Sequence, residues 1–199
     1  MITIGLTGGI GMGKSTIARQ CALLGAKTLN SDDVVHRLMS PGGKAFAKVS
    51  ENFPQVVAAG KIDRKKLGEI VFADDKKLTI LEAILHPLVI AEEEKFARAM
   101  KNKGARILVL DIPLLFETGG ERRMDLTLVA TAPAFIQAQR VLARPHMTRE
   151  KLAAIRARQM PDAEKRKRAD GIVHTGLGKA ASMRMLKGFL GRWVSKSLG

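Results

Sequence analysis

The stretch Gly8-Gly9-Ile10-Gly11-Met12-Gly13-Lys14-Ser15, followed by Thr16, satisfies the pattern G-x-x-x-x-G-K-[ST] in full. The chemistry it suits is the binding of a nucleoside triphosphate. Glycines let successive backbone N–H groups turn inward around anionic oxygens. A helix starting there adds partial positive charge at its N-terminus. Lys14 is placed to reach the β- and γ-phosphates, and the Ser15 hydroxyl to ligand Mg²⁺. Gly9, Gly11, Met12, Gly13, Lys14, Ser15 and Thr16 are therefore the predicted nucleotide contacts.

A phosphate loop alone does not separate GTPases, motor ATPases and small-molecule kinases. Guanine readers usually carry Asn-Lys-x-Asp, whereas the one Asn-Lys here, Asn102-Lys103-Gly104-Ala105, lacks the acid. Other residues suited to phosphoryl chemistry are Asp32, Asp111, Arg140 and Arg144. A carboxylate beside a phosphate site can accept a hydroxyl proton or help hold Mg²⁺. Asp32 is expected to accept the hydroxyl proton or to orient that hydroxyl, and Asp111 to help hold Mg²⁺, directly or through a water. Arg140 and Arg144, four residues apart on an expected helix, would share one face and neutralise a transferring phosphoryl group. The competing roles are a helix N-cap for Asp32 and a solvated face for the two arginines. None of His36, His86, His146 and His174 falls in a metal-ligand spacing. His86 precedes Pro87 and is expected at a helix boundary. Cys21 falls on an apolar helix face and is expected to be buried and inert.

These residues must be positioned by strands that are short apolar runs: Ile2–Leu6, Lys27–Leu29, Ile107–Leu110, Leu126–Ala130 and Gly171–Val173. Helical patterns lie between them. Ile17, Cys21 and Leu24 share a face, with Gly25 as terminator. Alternating strand and helix predicts an α/β protein, a parallel sheet with helices on both faces. Ligands of such sheets bind beyond the carboxyl ends of the strands, where the phosphate loop, Asp32 and Asp111 would all lie. The chain between the second and third strands is too long for one crossover helix. It holds turn punctuation at Ser40-Pro41-Gly42-Gly43 and helical patterns at Leu67–Phe72, Leu78–Ile84 and Leu88–Met100. It is expected to form a helical insert walling an acceptor pocket. Thr148 is the expected N-cap of a helix running to Met160 and stopped by Pro161.

Composition narrows the partners. The 199 residues include 46% hydrophobic and 27% charged, ordinary for a globular protein. The net charge is +15, and from Arg140 onward 15 lysines and arginines face 4 acids. A polyanionic ligand is the natural partner of such a balance. The run Lys165-Arg166-Lys167-Arg168 reads as a solvated face. Seven Phe, one Trp and no Tyr leave little for base stacking, so nucleic acid is not expected. The lone Cys21 and the lack of a signal-peptide pattern or a membrane-spanning run predict a cytoplasmic protein.

The sequence resembles the dephospho-CoA kinase family over roughly residues 2–176. Leu6 to Thr16 resembles the family's phosphate loop, with Met12 where Ser is usual. Asn30-Ser31-Asp32 with His36 resembles its Asp-Ala-Asp and His, with Asn30 at the first Asp. Ile62-Asp63-Arg64, Val71-Phe72, Leu81-Glu82 with His86-Pro87, and Asp111-Ile112-Pro113-Leu114-Leu115-Phe116-Glu117 follow in the family's order. Arg140, Arg144, Arg156, Gln159, Lys165 and Ala169-Asp170 resemble its lid and last strand, and Thr175 stands where the family has Asn.

The resemblance implies a P-loop NTPase fold: three α/β/α layers, a five-stranded parallel sheet, an inserted helical substrate domain and a helical lid. It implies a core over 1–33 and 105–199, an insert over about 34–104 and a lid over about 140–161. The implied activity is ATP- and Mg²⁺-dependent phosphorylation of the ribose 3′-hydroxyl of dephospho-CoA by a monomer. Lys14, Asp32 and Arg140 would be catalytic, with Arg144 a further ATP contact. Asp32, His36, Arg64, His86, Pro87 and Leu115 would bind the acceptor. The rivals are another small-acceptor kinase, such as a nucleoside monophosphate kinase, and a basic nucleic-acid-binding module.

Overall fold

The computed structural model describes residues 1–196. In chain order the elements are β1 (Ile2–Thr7), α1 (Lys14–Leu23), β2 (Lys27–Asn30), α2 (Ser31–Met39), α3 (Phe46–Asn52), β3 (Val57–Ala58), β4 (Lys61–Ile62), α4 (Arg64–Ala73) and α5 (Asp75–Asn102). They continue with β5 (Ile107–Asp111), β6 (Leu126–Thr131), α6 (Ala134–Leu142), α7 (Arg149–Arg158), α8 (Asp162–Arg168), β7 (Gly171–His174) and α9 (Lys179–Lys196). All five expected strands are present, and they form one sheet in the order β2-β5-β1-β6-β7. β1 pairs parallel with β5 and β6, and β6 with β7.

The chain divides into two compact units. One is Met1–Leu29 with the chain from Ala99 onward, and the other is Asn30–Arg98. In the first, β5 and β6 are buried at every position, the mark of strands covered on both faces. Ile17 and Cys21 of α1 and Leu186, Phe189 and Leu190 of α9 pack on Ile4, Leu6, Val109, Leu128 and Val173 of the strands. Cys21 is wholly buried, and loss of hydration pushes its thiol pKa up to about 12. Gly25 follows α1 with a φ of 88°, the left-handed stop expected of it.

In the second unit, α5 is a single helix of 28 residues with Pro87 inside it. The expected break at His86-Pro87 is absent. Proline costs the ladder one N–H, but Leu81 and Leu85 are buried in the turns before it and hold the helix in place. α7 keeps its expected cap, Thr148 Oγ1 accepting from the Lys151 N–H at 3.2 Å. It ends at Arg158, two residues before the expected stop, because Gln159 turns extended. Among the described residues, no helix is long and apolar enough to cross a membrane.

Candidate active site

The phosphate loop joins β1 to α1. Gly13 is the N-cap of α1 at φ 89°, with no side chain capping the helix. A Cβ at Gly13 would stand 2.8 Å from Thr175 Oγ1, and one at Gly11 2.5 Å from Val141 Cγ2. Both positions therefore require glycine on conformation and on space. The backbone N–H groups of Gly11, Gly13, Lys14 and Ser15 donate to no other described residue. These are donors a buried anion would satisfy, at a helix N-terminus whose dipole favours negative charge.

Other loop groups are committed to the scaffold. The Ile10 N–H donates to Gln159 Oε1 at 3.0 Å, and its carbonyl accepts from Gln137 Nε2 at 2.8 Å. The Met12 side chain is buried, its sulfur accepting from the Ala132 N–H at 3.2 Å. Its backbone is committed too, the N–H donating to the Gly9 carbonyl at 3.1 Å and the carbonyl accepting from Thr175 Oγ1 at 2.7 Å.

Lys14 Nζ pairs closely with Asp111 Oδ1 at the carboxyl end of β5. The Asp111 side chain is almost wholly buried and that of Lys14 is 15% exposed. Arg140, on α6, directs Nη1 to Thr175 Oγ1 at 2.8 Å and to the Gly11 carbonyl at 3.4 Å, and Nη2 to the Thr175 carbonyl at 2.9 Å. No carboxylate among the described residues pairs with Arg140.

Arg144 does not accompany it. α6 ends at Leu142, and Arg144 is exposed beyond the helix, where Pro145 bars helical continuation. The expected shared face of the two arginines is therefore not formed. Leu115 is also displaced from its implied part. It is fully buried, where a Cβ at Gly5 would meet its Cδ2 at 2.8 Å. This assigns its side chain to packing under β1. The run Lys165–Arg168 is not uniformly solvated either. Lys165 is fully buried and bridges Glu117 Oε1 at 2.8 Å. That oxygen also accepts from the Met160 N–H at 2.8 Å, which seats the chain just after α7.

Asp32, His36, Arg64, His86 and Pro87 lie in the second unit, all exposed. The cap of α2 is Asn30, whose Oδ1 accepts from the N–H groups of Asp32 at 2.8 Å and Asp33 at 3.3 Å. Asp32 is thus released from capping, and its carboxylate accepts no hydrogen bond from another described residue. This unit also holds a cavity of about 510 Å³ lined by Lys44, Lys48, Asn52, Ile80, Pro87 and Leu88, among others.

Gln137 has contacts at the loop that the sequence does not signal, and Glu117, Lys165 and Thr175, which enter only as positions of the resemblance, have contacts at the loop or at the segment after α7. The available signal is faint: Gln137 sits four residues before Val141, a polar residue on an otherwise apolar helix face.

A parallel sheet whose first strand feeds this loop, with a lysine and an arginine beside the open N–H groups, defines the P-loop kinase fold. Residues 2–178 match the family model described as dephospho-CoA kinase. The chain is 54% identical over 182 residues to a dephospho-CoA kinase of Mesorhizobium japonicum, covering 92% of this chain and 91% of the relative. It is 50% identical over 185 residues to that of Rhodospirillum rubrum, covering 92% and 88%. The solved dephospho-CoA kinase of Campylobacter jejuni superposes with a TM-score of 0.71 at 25% identity, covering 98% of each chain. Shikimate kinase of Acinetobacter baumannii, at 20% identity and a TM-score of 0.56, shares the fold. The chain belongs to the dephospho-CoA kinase family.

Proposed function

We propose that this chain transfers the γ-phosphoryl group of ATP to the ribose 3′-hydroxyl of dephospho-CoA, giving CoA and ADP, the last step of coenzyme A biosynthesis. The observation that carries this assignment is the run of uncommitted N–H groups at Gly11, Gly13, Lys14 and Ser15 in a chain of this family. Those groups and Lys14 hold the β- and γ-phosphates, Lys14 exchanging its Asp111 partner for phosphate oxygen. Arg140 supplies a second positive charge and a planar fork suited to phosphate.

In the transfer, the acceptor oxygen forms a bond to the γ-phosphorus as the bond to the β–γ bridging oxygen breaks. The electron pair leaves on ADP. Asp32 takes the hydroxyl proton or orients that hydroxyl for in-line attack. Mg²⁺, when bound, offsets charge on the phosphate oxygens. The exposed Ser15 hydroxyl and the Asp111 carboxylate are hard oxygen donors that fit it. Among the described residues, no group of three or more His, Cys, Asp and Glu could hold a metal.

The second unit is proposed to receive the acceptor, through Asp32, His36, Arg64, His86 and Pro87. Its cavity joins apolar walls to Lys44 and Lys48, a lining suited to a ligand with an apolar arm and a pyrophosphate. The segment over about 140–161 is proposed as the lid. The enzyme is taken to act as a cytoplasmic monomer on small molecules. ATP-dependent turnover compared across dephospho-CoA, AMP, CMP and adenosine tests the acceptor. Strong preference for dephospho-CoA is expected, and comparable turnover of AMP or CMP would indicate a nucleoside monophosphate kinase.

A further inference from the structure

The two peptide groups that flank Ile10 are each held by a side-chain amide from outside the loop. Its N–H donates to Gln159 Oε1 at 3.0 Å, and its carbonyl accepts from Gln137 Nε2 at 2.8 Å. Gln137 is only 5% exposed, and its Oε1 accepts from Arg156 Nε at 2.9 Å and closely from Arg156 Nη2. Both amides are oriented by these partners, since each donor meets an oxygen. Gln159 approaches so near that a Cβ at Gly9 would stand 3.3 Å from its Oε1. The loop donors that follow, at Gly11, Gly13, Lys14 and Ser15, have no such partner. The contrast lies within one loop: the two peptide groups at Ile10 are clamped, and most of the donors after them are open.

We infer that Gln137 and Gln159 are positioning residues that clamp the two peptide groups flanking Ile10 and so hold the following N–H groups turned inward for phosphate. Arg156 and Gln159 come from the C-terminal end of α7, and Gln137 from α6. The clamp therefore makes the shape of the phosphate loop depend on the seating of the α6–α7 segment. That seating is reinforced one residue further on, where the Met160 N–H meets Glu117. A loop ordered before nucleotide arrives pays less on binding, so the clamp acts on affinity for ATP and little on the chemical step.

The inference rests on the phosphate-binding assignment above, and its test separates the two. Gln159 is half-buried beyond a helix end, so Gln159→Leu should fold. It cannot accept from Ile10, whereas Gln159→Glu still can. Hydrogen exchange of the Ile10 amide is followed in the nucleotide-free protein, and kcat and KM for ATP in the full enzyme. In Gln159→Leu, exchange at Ile10 should accelerate by about tenfold, the scale of one lost hydrogen bond. KM for ATP should rise by about tenfold with kcat within about threefold, as expected when binding alone is lost. Gln159→Glu should keep the slow exchange. Unchanged exchange, unchanged KM, or a lower Tm with both unmoved overturns the inference. Gln137→Leu repeats the KM measurement should Gln159→Leu fail to fold. If Lys14→Ala also leaves turnover intact, the phosphate-binding assignment itself has failed. If Lys14→Ala is inactive while Gln159→Leu behaves as the parent, only the clamp is lost.

Discussion

Arg140 and Thr175 are joined twice: Nη1 donates to the Thr175 hydroxyl at 2.8 Å and Nη2 to the Thr175 carbonyl at 2.9 Å. The same hydroxyl donates to the Met12 carbonyl at 2.7 Å. Thr175 thus ties the arginine to the phosphate loop from a position outside both, just after β7. Thr175→Val removes the hydroxyl contacts and leaves the Met12 carbonyl unpaired. It should cost about 1–3 kcal/mol of stability, read by urea denaturation, and raise KM for ATP. Thr175→Ser should retain both. Arg140→Lys should recover only part of the activity lost in Arg140→Ala, because an ammonium lacks the planar fork.

Lys14 leaves a carboxylate for a phosphate in the proposed cycle. Lys14→Ala should lower kcat/KM by roughly 100-fold or more, since its contact strengthens as charge moves in the transition state. Steady-state kinetics on protein with an unchanged circular dichroism spectrum would check this. Turnover near that of the parent would refute the assignment.

Asp32 and Asp33 are neighbours with different expectations. Both backbone N–H groups are capped by Asn30, so neither carboxylate is needed to start α2. Asp32→Asn should reduce kcat by about 10²–10⁴-fold with little change in ATP affinity, and Asp33→Asn by less than about tenfold. A larger loss in Asp33→Asn would move the base to Asp33. If neither substitution matters, positioning and charge neutralisation carry the reaction.

Lys165 is an unusual lysine, fully buried against Glu117. Lys165→Met should destabilise by about 3–5 kcal/mol by leaving the Glu117 charge uncompensated. The double variant Lys165→Met/Glu117→Leu should recover most of that in thermal unfolding. Additive losses in the two single variants would show that the pair is not coupled.

Cys21 makes stability depend on alkaline pH. Burial raises its pKa from 9.0 in the unfolded chain to about 12 in the fold. Below pH 9 both states hold the proton and the contribution is complete. Between pH 9 and about 12 the unfolded state binds fewer protons, so stability falls as pH rises, by up to about 1.4 kcal/mol per pH unit. Comparing urea midpoints of the parent and Cys21→Ala at pH 8 and pH 10.5 should show the steeper decline in the parent. A parallel decline in both would assign the effect to other groups.

The sequence by itself determined the phosphate loop, the strands and the parallel architecture, because each is written locally. Glycine spacing sets which backbone turns are open, and apolar runs set which segments are buried. The first helix face and the Thr148 cap are legible for the same reason. The partners of polar side chains were decided only by the tertiary structure. The i, i+4 spacing of Arg140 and Arg144 describes a helix that Pro145 ends too early. Pro87 signals a break, yet burial of Leu81 and Leu85 carries the helix through it. A basic run suggests a solvated face, yet Glu117, 48 residues earlier, draws Lys165 inside. Gln137 carries no motif, and Gln159 enters only as part of a resemblance that gives it no role, because a hydrogen bond to a peptide depends on where two distant backbones meet and not on residue type alone.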